Sequence, residues 1–96
     1  MKISSVFGTA SQVIKQVQTF LNENKFSKIN IDLASNEITA ERKVLFLRKD
    51  RIHIRVKPAI ENIWNIELTV NPVHRIPTSK DESKEAELQR KLFLYF

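Results

Sequence analysis

Arg51-Ile52-His53-Ile54-Arg55-Val56-Lys57 alternates apolar residues with cationic or imidazole ones without a break. Such period-two alternation, rich in β-branched residues, marks a strand buried on one face and wet on the other. Its wet side chains would be Arg51, His53, Arg55 and Lys57. A strand of this kind suits an antiparallel sheet covered on one side only, and its neighbours should carry the same pattern.

They do. Trp64, Ile66, Leu68 and Val70 alternate with Asn65, Glu67 and Thr69, after a connection from Pro58 to Asn62. Pro72 should end that strand, because proline donates nothing to a ladder. Before the quoted stretch, a strand begins at Glu37-Ile38-Thr39-Ala40 and continues through Val44-Leu45-Phe46-Leu47, where four consecutive apolar residues blur the alternation. An unbroken phase, the preferred reading, turns Leu45 and Leu47 outward; a bulge near Arg42-Lys43 would swap them with Val44 and Phe46. With Arg48-Lys49-Asp50 as the turn, Leu47 falls beside His53 and Leu45 beside Arg55. Across Pro58–Asn62, Glu67 falls beside His53 and Asn65 beside Arg55. Ile29, Ile31 and Leu33 form the first strand, and a two-residue turn at Ser35-Asn36 would pair Leu33 with Ile38 and Ile31 with Ala40.

Helical spacing flanks these strands. Ala10, Val13, Ile14, Val17, Phe20 and Leu21 make one apolar face, opened by Thr9 and Gln12 as a capping box and closed near Asn24. A second helix begins at Ser79, with Glu82 completing another capping box. Asp81, Glu82, Glu85 and Glu87 crowd its first turns, while Arg90 and Lys91 lie near its end, as the macrodipole favours. Ala86 or Leu88, with Leu92 and Tyr95, can form its inner stripe. The sequence therefore predicts an α+β two-layer sandwich: helix, four-stranded antiparallel meander, helix, with both helices on one sheet face. Trp64 belongs to the core of that arrangement.

The 96 residues fit a single domain, 1–96, and the 42% apolar content suffices for one small core. With no cysteine, disulfides and thiolate chemistry drop out; one glycine, Gly8, cannot build a phosphate-cradling loop. No apolar run marks a signal peptide or a membrane span, so a cytoplasmic location without membrane attachment is expected. Catalytic patterns are poor. His53 sits between Arg51 and Arg55, and His74 has no carboxylate near it in sequence, so neither suggests a metal site. No serine lies in a nucleophile motif. Neither enzymatic activity nor a cofactor is expected.

The charge is concentrated. Between Arg42 and Lys57 lie seven cations and one anion, +6 of a total +5, so the rest of the chain sums to −1. Lys43, Arg48, Lys49, Arg51, His53, Arg55 and Lys57 are the candidate partner-binding residues, on an outer sheet face where Glu41 and Glu67 would neutralise part of the charge. The element order resembles that of the double-stranded-RNA-binding domain. That family has three strands and a lysine cluster opening its last helix; here the helix opens with Asp81, Glu82 and Glu85, so no residue role carries over. Nor does the basic stretch offer exposed aromatics for stacking bases. The expectation is a protein-interaction module. The alternative is a nucleic-acid-binding protein using the Arg42–Lys57 hairpin through phosphate contacts. The final Leu92-Phe93-Leu94-Tyr95-Phe96 is more apolar than one helix face needs, and Leu92, Phe93, Tyr95 and Phe96 are candidates for self-association.

Overall fold

In a computed structural model of the chain, residues 2–45, 48–73 and 79–96 are described. The elements run β1 (Lys2–Phe7), α1 (Ala10–Glu23), β2 (Ser27–Asp32), β3 (Glu37–Leu45), β4 (Arg48–Ile60), β5 (Ile63–Val73) and α2 (Ser79–Phe93). All strands pair antiparallel in one five-stranded sheet ordered β1-β5-β4-β3-β2. The class is α+β, as expected, but the sheet has five strands and the chain opens with one of them.

β1 escapes the alternation rule for a physical reason. Of the residues whose side chains are described there, only Val6 reaches the core, and its strand-mates include two serines and a lysine. An edge strand with so little to bury leaves a weak apolar signal. The cue that remains is Val6-Phe7 ahead of Gly8. Gly8 takes φ of +138°, where a side chain would be strained, and this lets the strand swing into α1. Its carbonyl accepts the Trp64 indole N–H at 2.9 Å. That half-buried ring packs against the core, as expected.

α1 forms as read. Thr9 accepts the Gln12 N–H, the Gln12 side chain accepts the Thr9 N–H, and Asn24 caps the far end. Val13, Ile14, Val17, Phe20 and Leu21 are buried against Ile38 and Ala40 of β3, Ile52, Ile54 and Val56 of β4, and Ile66, Leu68 and Val70 of β5. Leu88 and Leu92 of α2 join the same cluster, so both helices pack on that face.

Three turns depart from the expected registers. Leu33-Ala34-Ser35-Asn36 is a four-residue loop, not a two-residue one, so Ile31 pairs with Ile38 and Leu33 stands 71% exposed. The Asp32 carboxylate accepts the Ala34 N–H at 3.0 Å, and Asn36 adopts φ of 53°; this local hydrogen bond favours the longer turn. Arg48-Lys49-Asp50 is strand, not turn: the β3–β4 connection falls at residues 46–47, outside the described residues. Glu37, Thr39 and Glu41 therefore oppose Arg55, His53 and Arg51, and a bulge between Lys43 and Leu45 breaks the preferred unbroken phase. Leu47 lies outside the described residues, as does the side chain of Leu45; the Leu45 backbone opposes Arg48, not Arg55. Finally, β4 continues to Ile60, leaving Glu61-Asn62 as the tight turn, with Asn62 at φ of 61°. Arg55 then opposes Glu67, His53 opposes Thr69 and Lys57 opposes Asn65.

Pro72 does not stop β5, which reaches Val73. β1 covers β5 only between Ile63 and Leu68, so beyond Leu68 one side of the strand is open. The Val70 N–H faces that open side and is taken by the Glu85 carboxylate of α2 at 2.9 Å. Alternate residues of a strand point their N–H groups the same way, so Pro72 lacks its donor where no strand would receive it. Glu85, one of the acids that crowd the first turns of α2, is thus a buried anchor.

Candidate interaction surface

The odd-numbered residues of β4 face away from the helices, as the alternation requires, and their neighbours on β3 and β5 determine what that face can do. Arg55 lies between two carboxylates: its Nε is 3.2 Å from Glu37 Oε1 and its Nη1 is 4.0 Å from Glu67 Oε2. Lys57 Nζ approaches Glu67 Oε1 at 3.4 Å, and His53 Nε2 lies 3.5 Å from Glu37 Oε2. One row along, Arg51 donates to Glu41 Oε1 at 3.1 Å, and Lys28 reaches the other Glu41 oxygen at 3.6 Å. The result is a lattice in which a cationic strand is flanked by anionic ones.

Glu41 and Glu67 are the less exposed members of this lattice, while Glu37, at 34%, matches its partner His53. Glu67 keeps only 12% of its side chain exposed and Glu41 19%, whereas Arg51 keeps 56% and Lys57 48%. Short acids lie along the sheet, and the longer cations fold over them with their heads in water. Arg51 hydrogen bonding holds the Glu41 carboxyl below the usual glutamate range, with Lys28 adding to the effect and burial opposing it. Glu67 Oε2 makes no hydrogen bond among the described residues; Arg55 Nη1 stands 4.0 Å from it.

Toward the β3–β4 turn the balance changes. Lys43 and Lys49 are register partners, and no ion pair involves either among the described residues. The Arg48 backbone lies next to them, opposite Leu45; its side chain is outside the described residues. Arg42 does not share the outer face. Its guanidinium carbon lies 4.9 Å from the centroid of the Phe26 ring, a core residue. Asp50 also turns inward, is buried, and meets Lys84 of α2 at 3.0 Å. The hairpin's charges are therefore split between two faces.

At the opposite end of the sheet, Phe7 opposes Ile63 and Ile63 opposes Ile60; Phe7 is 79% exposed and Ile60 69%. Phe7 and Phe96 border a shallow depression of about 210 Å³ between them. The C-terminal segment divides. Leu92 is a core residue and is removed from the candidate contact set. Tyr95 is half-buried, packs edge-on to Phe20 at 5.7 Å between centroids, and donates its hydroxyl to Glu23, a bond that raises the phenol above its ordinary range. Phe93 and Phe96 remain exposed, joined by Leu94, which sequence reasoning left out.

Of the predicted site residues, the fold brings Arg51, His53, Arg55 and Lys57 into one lattice and Lys43 with Lys49 into one pair. Sequence reasoning anticipated Glu41 and Glu67 in that lattice and missed Glu37, which shares the phase of Thr39 and Glu41 and becomes visible once the turn is moved. No family model matches the chain, and no curated protein matches it in sequence. Among the described residues, no helix is long and apolar enough to cross a membrane.

Proposed function

We propose that the chain is a protein-interaction module that acts by binding and not by catalysis, using the outer sheet face. The observation that carries this reading is the Glu37–Arg55–Glu67 row, in which a cation is flanked by acids on both neighbouring strands. A polyanion laid over that row would meet carboxylates as well as guanidinium groups, which weakens phosphate binding. A protein surface of interleaved sign can match both, and such patterns favour register and specificity over raw affinity. His53 shares Glu37 with Arg55 on an open face, an arrangement of the ladder and not an enclosed acid–base pair.

The Lys43–Lys49 end is the feature that favours the nucleic-acid alternative. The two readings separate in one pair of experiments. Anisotropy with single-stranded RNA and duplex DNA at 50 and 200 mM salt should give weak binding with a shallow salt slope. A steep slope that flattens in Lys43→Ser/Lys49→Ser would replace the protein reading by the nucleic-acid one. A photocrosslinking residue at Thr69, in the centre of the face, should capture protein in the native cell. That capture should fall in Glu37→Gln/Glu67→Gln, and adducts confined to nucleic acid would overturn the proposal.

A further inference from the structure

β2 is the terminal strand of the sheet, so one side of its backbone has no strand partner among the described residues. Above that open edge, α1 leaves a groove of about 410 Å³, which Ala10, Ser11, Ile14 and Gln18 line from the helix and Ile31 and Leu33 from the strand side. Leu33 is among the most exposed large apolar residues described. An open edge beside an apolar groove is where a further strand can add to a sheet.

The sequence of β2 indicates which strand. Lys28-Ile29-Asn30-Ile31-Asp32 is complementary to itself when run antiparallel about Asn30. In that register Lys28 faces Asp32 of a second copy, Ile29 faces Ile31, and Asn30 faces Asn30. Both ion pairs fall on the outer face and both isoleucine pairs on the helix side, where Ile29 and Ile31 already pack against the core. Moving the centre to Lys28 or to Asp32 sets like charges opposite one another, and moving it to Ile29 or Ile31 takes Lys28 and Asp32 away from each other. The irregularity between Ser27 and Asn30, with Lys28 at φ of 51°, confines the regular ladder of β2 to Asn30–Asp32, so Lys28 would reach Asp32 of the second copy from the bulge. The opposite edge offers no equivalent, since Lys2–Phe7 carries a cation and no acid.

We propose that two copies of this chain associate through β2 across a two-fold axis at Asn30, forming one continuous ten-stranded sheet. The axis stands normal to the sheet, so both α1 helices lie on the same side and face each other across the joined grooves. Ala10 and Ser11 are small and permit close approach there. The interface is isologous, and each contact is made twice. It shares Lys28, which also reaches Glu41, with the margin of the outer face, but not the Glu37–Arg55–Glu67 row, so either proposal can hold without the other.

Two measurements test it on the full chain. The chain has no cysteine, so Asn30→Cys introduces a single thiol at the axis. Mild oxidation should link it into a covalent dimer far faster than a control thiol placed at the exposed Gln16; equal rates would overturn the proposal. Sedimentation over a concentration series should show a dimer whose dissociation constant rises about tenfold or more in Lys28→Asp, where two attractive pairs become repulsive. Lys28→Asp/Asp32→Lys should restore it. Circular dichroism confirms that each variant is folded. A monomer throughout the series would sink the idea, as would a dimer indifferent to the charge swaps or abolished only by changing Leu94 and Phe96.

Discussion

The α2 side of the sheet and its outer face are both tied together by charge, but the two regions use it differently. Under α2 the contacts are shielded, among them Asp50 with Lys84 and Glu85 with the Val70 N–H. On the outer face they are many and their cations reach water, with Glu37, Glu41 and Glu67 shared among Lys28, Arg51, His53, Arg55 and Lys57. Where water is excluded, a charge cannot do without its partner; where water is present, a partner lost is replaced by solvent. The first region should therefore hold the fold. The second is free to be used for binding.

The contrast is broken most severely at Lys84. Lys84→Met removes a cation from a carboxylate that is 3% exposed, and should lower stability by about 2–3 kcal/mol in urea unfolding. A loss under about 0.5 kcal/mol would place Asp50 in effective contact with water and erase the distinction. Glu85→Leu keeps the packing volume but takes the acceptor from Val70, at a cost of roughly 1–3 kcal/mol. Its hydrogen-exchange signature is local: the Val70 amide should lose protection before those of Ile54 and Ile66.

On the outer face the same kind of deletion should do little. Arg55→Ser touches two carboxylates, yet its cost should stay within about 1 kcal/mol and shrink further in high salt. The cycle Glu37→Gln, Arg55→Ser and their double variant isolates the pair itself, with a coupling of about 0.5 kcal/mol expected. Coupling above 2 kcal/mol would make the lattice a structural element and weaken its candidacy as a binding face.

The two regions also differed in how far the sequence exposed them. Alternation in Arg51–Lys57 assigns each side chain of β4 to a face, because a period of two needs no knowledge of neighbours. Register needs the turns, and turns are decided by local hydrogen bonds and by positive φ at Asn36 and Asn62, which strand periodicity does not carry. A shift of a few residues at the β3–β4 turn exchanged an expected leucine neighbour of Arg55 for Glu37 and so changed the character of the face. The buried roles of Asp50 and Glu85 went unread for a different reason. An acid beside basic residues, or in the first turns of a helix, has an ample explanation in solvent. Only the end of β1 at Leu68 reveals that a backbone N–H needed Glu85. Leu92 and Tyr95 were ambiguous because five apolar residues in a row give no phase.

The finest discrimination between the regions comes from acid titration of Glu41. Its carboxyl is held below the ordinary range chiefly by the Arg51 hydrogen bond, so the folded state binds the charged form better than the unfolded chain does. A depressed carboxyl contributes stability above its unfolded value, about 4.3, and loses it as pH falls through the folded value. Glu41→Gln should therefore be less stable than the parent chain at pH 7, and the gap should close as the pH is lowered toward 3. Arg51→Ser should remove most of that pH dependence by itself, because without the guanidinium the main cause of the shift is gone. Salt should reduce the gap at pH 7, since both partners reach water. A gap that persisted at pH 3 would mean that Glu41 supports the sheet through shape and not through charge, and the outer face would then belong with the shielded contacts under α2.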